Sequence, residues 1–246
     1  MVVTSIVTEA PAPAPDAQLL LDATVAHVES RFGGQLGVAT VGEEQPEATG
    51  FTAPSPAWST IKVPIAVAAM RTSPALEADA RAAVTASDNA AAQRLFDATG
   101  PEAVDLVLAH AGLAARVNTA PLRPEFSTFG QTQLSVADEA VLAGRIACVE
   151  GAESVLQLMG QVAPSQAYGL GTVGALFKGG WGPDTTGAYQ VRQFGLVPRG
   201  DGSWAPVALT ALPADGGYAT GQAMLTAAAE ALAEGPERLP AAACQP

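Results

Sequence analysis

The order of strand-like and helix-like stretches is the feature that most constrains the fold of this chain. Two short strand patterns, "GQLGVATV" and "EATGF", lie near the start, and three more lie near the end, in "VGALFKGG", "AYQVRQFGLV" and "WAPVALTALP". Residues 57–163 are mostly helical in pattern, and further helices are expected at 16–32, behind a cap at Asp16, and after the last strand. This order predicts an α+β fold: one antiparallel sheet formed by N- and C-terminal strands and flanked by helices, with an inserted helical subdomain at about 55–165.

Composition and charge exclude several classes of function. The chain has 246 residues, a net charge of -12 and no basic cluster. Binding to a phosphate backbone requires neutralising Lys and Arg, so we expect no nucleic-acid partner. The longest apolar runs fall short of the roughly 20 residues that span a bilayer, so we expect no membrane span.

The N-terminal segment differs in composition from the rest of the chain. Residues 1–15 end in alternating Ala and Pro, which is typical of an extended linker, and residues 16–246 are predicted to form a single domain. We expect a signal or anchor to be absent from this chain, and the protein to be extracytoplasmic, either secreted or associated with the cell envelope.

Two cysteines, Cys148 and Cys244, stand 96 positions apart. A disulfide closing a loop of that length stabilises a fold by roughly 4 to 5 kcal/mol in the chain-entropy model. The alternative is two unrelated thiols. We predict the bridge, which requires an oxidising compartment.

Lysine is scarce in this sequence and therefore calls for a specific explanation. It occurs only at Lys62 and Lys178, and Lys62 follows Ser59 by three positions at the predicted start of a helix. Residues at i and i+3 share a helix face. A serine hydroxyl becomes a nucleophile when a base takes its proton, and an amine can serve if burial or a second cation lowers its pKa. Pro64 predicts a tightened first turn. Taken alone, Ser-x-x-Lys is equally an ordinary helix start.

Two further motifs give the Ser-x-x-Lys pattern its meaning. "SDN", residues 87–89, opens a predicted helix, and "LFKGGWG", residues 176–182, carries the second lysine at the end of an apolar strand. Together the three motifs resemble S-x-x-K, S-D-N and K-T-G of the class A β-lactamases and DD-peptidases, the penicillin-interacting serine hydrolases. The resemblance extends over most of the chain and implies the β-lactamase/DD-peptidase-like fold.

The resemblance also implies a role for each matching residue. Ser59 would be the acylated nucleophile, Lys62 its base or proton relay, and Ser87 the hydroxyl that passes a proton to the leaving nitrogen. Asn89 would bind the substrate amide, and Lys178 would hold Ser87 and supply positive potential. The backbone N–H groups of Ser59 and Trp181 would form the oxyanion hole.

Two departures from the family pattern concern the cleft. Ser87 follows Ser59 at about half the interval usual in class A enzymes, so the helical subdomain is expected to be trimmed and the cleft more open. The third motif reads Lys178-Gly179-Gly180, which lacks the hydroxyl that helps bind the substrate carboxylate. We predict that Gly179 and Gly180 line the substrate site and that Arg192, on the next strand, replaces the hydroxyl with a bidentate grip. The alternative for Arg192 is a surface strand residue.

A third departure concerns deacylation. Arg123-Pro124-Glu125 is similar to the Arg-x-Glu opening of the family's omega loop, but the following residues do not match and lack the water-positioning asparagine. Glu125 is therefore either the deacylating base or a solvated loop carboxylate. Gln131 can orient a water but cannot deprotonate one.

Other chemistry finds little support in the sequence. His27 and His110 lie in helical patterns and are predicted to be packing or surface residues. No Cys/His cluster has the spacing of a metal site, and we expect neither metal nor cofactor. A Ser-His-Asp triad stays open, although the G-x-S-x-G elbow is missing.

The sequence therefore predicts a monomeric serine hydrolase that acts through an acyl-enzyme. Its substrate would be an amide or ester, such as a β-lactam or a peptidoglycan-derived D-alanyl peptide, and it would be a weak β-lactamase. The alternative is a non-hydrolytic, penicillin-binding-like cell-envelope protein that keeps the fold without turnover.

Overall fold

The computed structural model describes residues 17–42 and 45–246. The predicted linker at 1–15, the Asp16 cap and two residues of the turn after the first strand lie outside the described residues. The described helices are α1 Ala17–Phe32, α2 Lys62–Thr72, α3 Glu77–Thr85, α4 Asn89–Thr99, α5 Pro101–His110, α6 Val136–Arg145, α7 Glu153–Met159 and α8 Tyr218–Ala233. The described strands are β1 Gln35–Val41, β2 Pro46–Gly50, β3 Ser55–Pro56, β4 Gln133–Leu134, β5 Leu176–Pro183, β6 Tyr189–Pro198 and β7 Trp204–Leu212.

The main sheet has five antiparallel strands in the order β2-β1-β7-β6-β5. Strands from the two ends of the chain meet where β1 pairs with β7, and β5 forms one edge. Helices α2 to α7 come from the stretch between β2 and β5. The prediction of an α+β fold with an inserted helical part is confirmed.

Apolar side chains cover both faces of the sheet, because successive residues of a strand point to opposite sides. On one face, α1 and α8 pack over residues such as Val38, Val191 and Leu209. On the other face, α6 packs over Phe194, Leu196 and Ala208, and the buried residues of α2 belong to the same apolar cluster. Helix α2 is buried from Lys62 to Ala69, so a lysine begins a helix whose first two turns are shielded from water.

Cys148 and Cys244 form a disulfide with a Cα–Cα separation of 5.3 Å, which confirms the predicted bridge. Cys148 follows α6, and Cys244 lies in the tail beyond α8. The bridge therefore ties the C-terminal tail to the helical part of the chain. None of the helices in the described ranges has both the length and the apolar character that a membrane span needs.

Candidate active site

The predicted nucleophile lies in a tight turn between β3 and α2. Residues Trp58–Ile61 form a 3-10 turn that passes directly into α2 at Lys62. The tightened turn confirms the effect expected of Pro64. Trp58, just before Ser59, has a φ of 52°, which is rare for a bulky residue. The backbone is thus sharply bent at the residue that precedes Ser59.

Two glycines of strand β5 let this turn approach the sheet closely. A Cβ on Gly180 would lie 2.8 Å from the Ala57 carbonyl oxygen and 2.8 Å from the Ser59 nitrogen. A Cβ on Gly182 would lie 2.5 Å from the Trp58 ring. Neither position can carry a side chain without displacing the turn. The Ser59 backbone nitrogen therefore lies against Gly180 of β5, the residue that precedes Trp181.

The SDN segment turns sharply to face Lys62. Ser87 has a φ of 58°, and Asp88 caps α4 by accepting a 2.8 Å hydrogen bond from the Ala91 N–H. As a result, Lys62 Nζ donates to the Ser87 carbonyl oxygen at 2.6 Å and to Asn89 Oδ1 at 2.7 Å. The structure thus joins the first two sequence motifs directly.

The third motif meets the other two at the Ser87 hydroxyl. Lys178 Nζ lies 3.1 Å from Ser87 Oγ, and Lys62 Nζ lies 3.3 Å from the same atom. Lys178 Nζ also donates to the Gly179 carbonyl oxygen at 2.8 Å. One hydroxyl therefore connects two amines that are 116 positions apart in the sequence.

Both lysines lie in surroundings that disfavour their charged forms. Burial lowers the pKa of Lys62 to about 8, although the Asp88 carboxylate opposes this. Burial also lowers the pKa of Lys178 well below its usual value, and the positive charge of Lys62 lowers it further. An amine with such a pKa can lose its proton near neutral pH and act as a base.

Ser59 lies at the wall of a cleft of about 620 Å³. Within the described residues its hydroxyl has no hydrogen-bond partner, and Lys62 faces Ser87 and Asn89 instead. The amide nitrogen of Asn89 also faces no partner among those residues. The cleft is lined by Trp58, Ser59, Ser87, Asn89, Ala90, Gln93, Pro124, Glu125, Phe126, Ser127, Gly130, Trp181, Gly182, Pro183 and Tyr189.

A larger depression of about 710 Å³ lies beside Cys148 and the C-terminus, away from these groups.

The prediction that Arg192 reaches the cleft is wrong. Arg192 is fully buried and forms an ion pair of 2.8 Å with the equally buried Glu139. Its guanidinium also donates to the carbonyl oxygens of Ser55 and Pro56, and of Leu134. The short strand pair β3–β4 covers this part of the sheet, so the side chain ends beneath the nucleophile turn rather than beside a substrate.

The Arg192–Glu139 pair reaches the nucleophile turn through Thr60. The Thr60 hydroxyl donates to Glu139 Oε1 or to the Ala57 carbonyl oxygen, both within hydrogen-bond distance. Burial raises the pKa of Glu139, while Arg192 and Thr60 favour its charged form. Sequence reasoning missed this support. Helical spacing places Glu139 on the same face as the buried Val136 and Ala140, and that pattern indicates a buried carboxylate needing a partner.

Glu125 lines the cleft but is engaged elsewhere. Its Oε1 accepts hydrogen bonds from Arg123 Nε at 3.0 Å, and the carboxylate is mostly exposed. Its own backbone N–H and the Arg123 guanidinium lower the pKa of Glu125. Gln131 is buried, and its amide bonds to the backbone of Arg123, Phe126 and Ser127. The suggestion that Gln131 orients a water is therefore wrong, because its side chain holds the loop together.

Two other expectations concern the glycines of the third motif and the two histidines. Gly179 and Gly180 are buried and are not among the residues that line the cleft, so their role as substrate contacts stays a prediction, and Gly180 admits the nucleophile turn. His27 and His110 are exposed residues of α1 and α5, as expected. In the described part of the chain, no group of three His, Cys, Asp or Glu residues is arranged to hold a metal ion.

Comparisons with known proteins agree with this architecture. No protein-family model matches the chain, and no significant match to a curated protein was found. Solved structures do match. A β-lactamase from Chitinophaga pinensis has a TM-score of 0.72 at 14% identity, with 88% of this chain and 99% of that one covered. The TLA-3 extended-spectrum β-lactamase gives 0.71 at 13% identity, covering 87% and 98%. The class A β-lactamase of Mycobacterium abscessus gives 0.70 at 15% identity, covering 89% and 99%. The chain therefore has the class A β-lactamase fold.

Proposed function

We propose that the protein is a serine hydrolase that forms an acyl-enzyme at Ser59 from an amide or ester. The observation that carries this proposal is the shared hydrogen bonding of Lys62 and Lys178 to the Ser87 hydroxyl. Two buried amines that meet at one hydroxyl, beside a serine without a hydrogen-bond partner, form a proton-transfer chain. Burying two amines costs free energy, so stability alone does not explain this arrangement.

Acylation would proceed as follows. Lys62, as the neutral amine, accepts the Ser59 proton while Ser59 Oγ forms a bond to the substrate carbonyl carbon. The oxyanion that develops is stabilised by the backbone N–H groups of Ser59 and Trp181. When the tetrahedral intermediate collapses, Ser87 passes a proton from the lysine to the leaving nitrogen or oxygen. The Asn89 amide nitrogen binds the substrate's amide carbonyl.

Deacylation has weaker support than acylation. A water must attack the acyl-enzyme, and Glu125 is the carboxylate that lines the cleft. Its ion pair with Arg123 and its lowered pKa make it a poor base, and Gln131 is occupied. We therefore propose slow turnover, which agrees with a weak β-lactamase or D-alanyl peptide hydrolase.

The disulfide supports an extracytoplasmic location, because such bridges persist in oxidising compartments. We propose that the protein works as a monomer on small-molecule or peptidoglycan-derived substrates. The alternative is a protein that is acylated or binds without turnover. The weak deacylation site supports this alternative, whereas the residues proposed for acylation do not.

Time-resolved intact mass after mixing with a fluorescent penicillin or 4-nitrophenyl acetate tests the proposal. A transient Ser59 adduct with product release supports a hydrolase. A persistent adduct supports the alternative. Failure of every probe to modify Ser59 would overturn the proposed acyl-enzyme and leave only binding without reaction.

A further inference from the structure

None of the described residues that line the cleft beside Ser59 carries a positive charge. Glu125 is the one ionisable carboxylate or amine among its described lining residues. Lys62 and Lys178 are buried behind the wall, at 1% and 0% exposure. Arg123, the nearest arginine of the loop, is bound to Glu125 and to the Pro183 carbonyl oxygen. A carboxylate on a substrate would therefore meet hydroxyl and amide donors but no free cation among the described lining residues.

The edge of β5 offers no replacement for that missing charge. Gly179 carries no hydroxyl, and a Cβ built on it would face Tyr168 Oη and Gln193 Cγ, each at 3.7 Å. The Tyr168 hydroxyl is buried there, close to Tyr218 and Gln222. Arg192 is committed to Glu139 below the sheet. The space next to the third motif is thus occupied by a buried tyrosine rather than by a cationic side chain.

Aromatic rings line the cleft on two sides. Trp58 and Phe126 pack edge to face with ring centroids 5.2 Å apart. On the β5–β6 side, Trp181 and Tyr189 line the cleft, and Tyr218 packs behind them at 5.5 and 5.6 Å. Such a wall favours planar apolar groups, which stack on its rings and lose little on leaving water.

The charge of the molecule acts in the same direction. Asp88 and Glu125 lie beside the cleft, and the whole chain carries a net charge of -12. The summed field lowers the local concentration of anionic substrates and leaves neutral ones unaffected.

We propose that this cleft selects uncharged esters or amides that carry an aromatic ring, and disfavours acyl donors with a carboxylate near the scissile bond. The inference rests on the proposed function, because it names the substrate class of the same serine. It also gives a reason for weak action on penicillins and on peptides that end in D-alanine, both of which carry such a carboxylate.

Matched probes separate charge from ring content. The full chain is mixed with benzylpenicillin and with benzylpenicillin methyl ester, which keep the same phenyl group and differ in one charge. The second pair is 4-nitrophenyl phenylacetate and 4-nitrophenyl acetate, which share a leaving group. Acylation of Ser59 is followed by intact mass, and each rate is divided by the probe's rate with hydroxide.

We expect the methyl ester to acylate Ser59 at least about tenfold faster than benzylpenicillin, the factor that one lost hydrogen bond to a charged group is worth. The corrected rate of Ser59 acylation should be higher for 4-nitrophenyl phenylacetate than for 4-nitrophenyl acetate. Equal or faster reaction of benzylpenicillin overturns the inference and leaves the proposed function intact. Reaction of none of the four probes overturns the proposed function, and the inference falls with it.

A ring deletion gives a second test. Tyr189→Leu keeps apolar bulk at the cleft wall and removes the ring, so the ratio of the phenylacetate rate to the acetate rate should fall several-fold. Phe32→Leu, at the end of α1 and away from the cleft, is the matched control. An unchanged preference in Tyr189→Leu, with the fold intact by circular dichroism, overturns the role given to the aromatic wall.

Discussion

The amines of Lys62 and Lys178 share one hydroxyl, that of Ser87, at 3.3 and 3.1 Å. Both side chains are buried, and the positive charge of Lys62 disfavours a charge on Lys178. A protonated amine can only donate to Ser87, whereas a neutral one can accept from it. The direction of proton flow through Ser87 is therefore set by which lysine is neutral.

Replacing Lys62 separates its role as a base from its positive charge. Lys62→Met and Lys62→Arg should both slow acylation of Ser59 by about 10² to 10⁴-fold, because arginine keeps the charge but cannot accept a proton. Stopped-flow release of 4-nitrophenol measures this. Near-parental rates in Lys62→Arg would show that only the positive charge matters.

The lowered pKa of Lys62 predicts a specific pH profile. Because burial disfavours its charged form, Lys62 loses its proton near pH 8 instead of 10.5. Acylation should rise with pH up to about 8 and level off above it, since only the neutral amine accepts the Ser59 proton. Burst rates at pH 6 to 10, corrected for hydroxide, measure the profile. A flat profile over this range argues against Lys62 as the base.

Adjacent glycines of β5 should respond very differently to the same substitution. Gly180→Ala places a Cβ 2.8 Å from the Ser59 nitrogen and should displace the nucleophile turn, with a large loss of acylation. Gly179→Ala makes ordinary contacts at 3.7 Å and serves as the control. Similar acylation rates in the two variants would mean that the close approach of turn and strand is unimportant.

The buried pair of Arg192 and Glu139 should matter more for stability than for chemistry. Arg192→Met or Glu139→Leu leaves one charge buried without its partner, which costs about 3 to 5 kcal/mol of unfolding free energy. The double replacement should lose less than either single one. Urea unfolding of the three variants measures this. A double variant whose loss equals the sum of the single losses would show that the two residues act independently.

Glu125 is tested by removing its basicity. Glu125→Gln should leave acylation intact and slow release of the acyl group, by less than the about 10² to 10⁴-fold of a well-placed general base. Intact mass shows the accumulated adduct. Turnover equal to the parent would make Glu125 a bystander and leave deacylation to Lys62 or to an unassisted water.

The sequence predicted the sheet and the three motifs well because both depend on local patterns. Strand-like residue patterns bounded by turn residues indicate β5 to β7. Lys62 and Lys178 stand out because the chain has no other lysine. The fate of Arg192 was different. Strand position gave its neighbours in the sheet, but which face β3 and β4 cover depends on contacts 53 to 137 residues away.

The same limit applies to the loop around Glu125. The Arg-Pro-Glu motif can be recognised in the sequence. The partners of the Glu125 carboxylate, however, depend on how the loop folds on itself. Gln131 gave no signal of its structural role, because a buried amide and a solvent-facing one look alike in sequence. Contacts inside irregular segments are therefore the part that local pattern predicts least.

The central claim is that Ser59 attacks a carbonyl with the help of the two lysines. The most direct measurement is intact mass and peptide mapping of the parent chain and Ser59→Ala after brief exposure to 4-nitrophenyl phenylacetate at pH 8. We expect one phenylacetyl group on the peptide containing Ser59 in the parent, and none in Ser59→Ala. An unmodified parent, or equal labelling of Ser59→Ala, would contradict it.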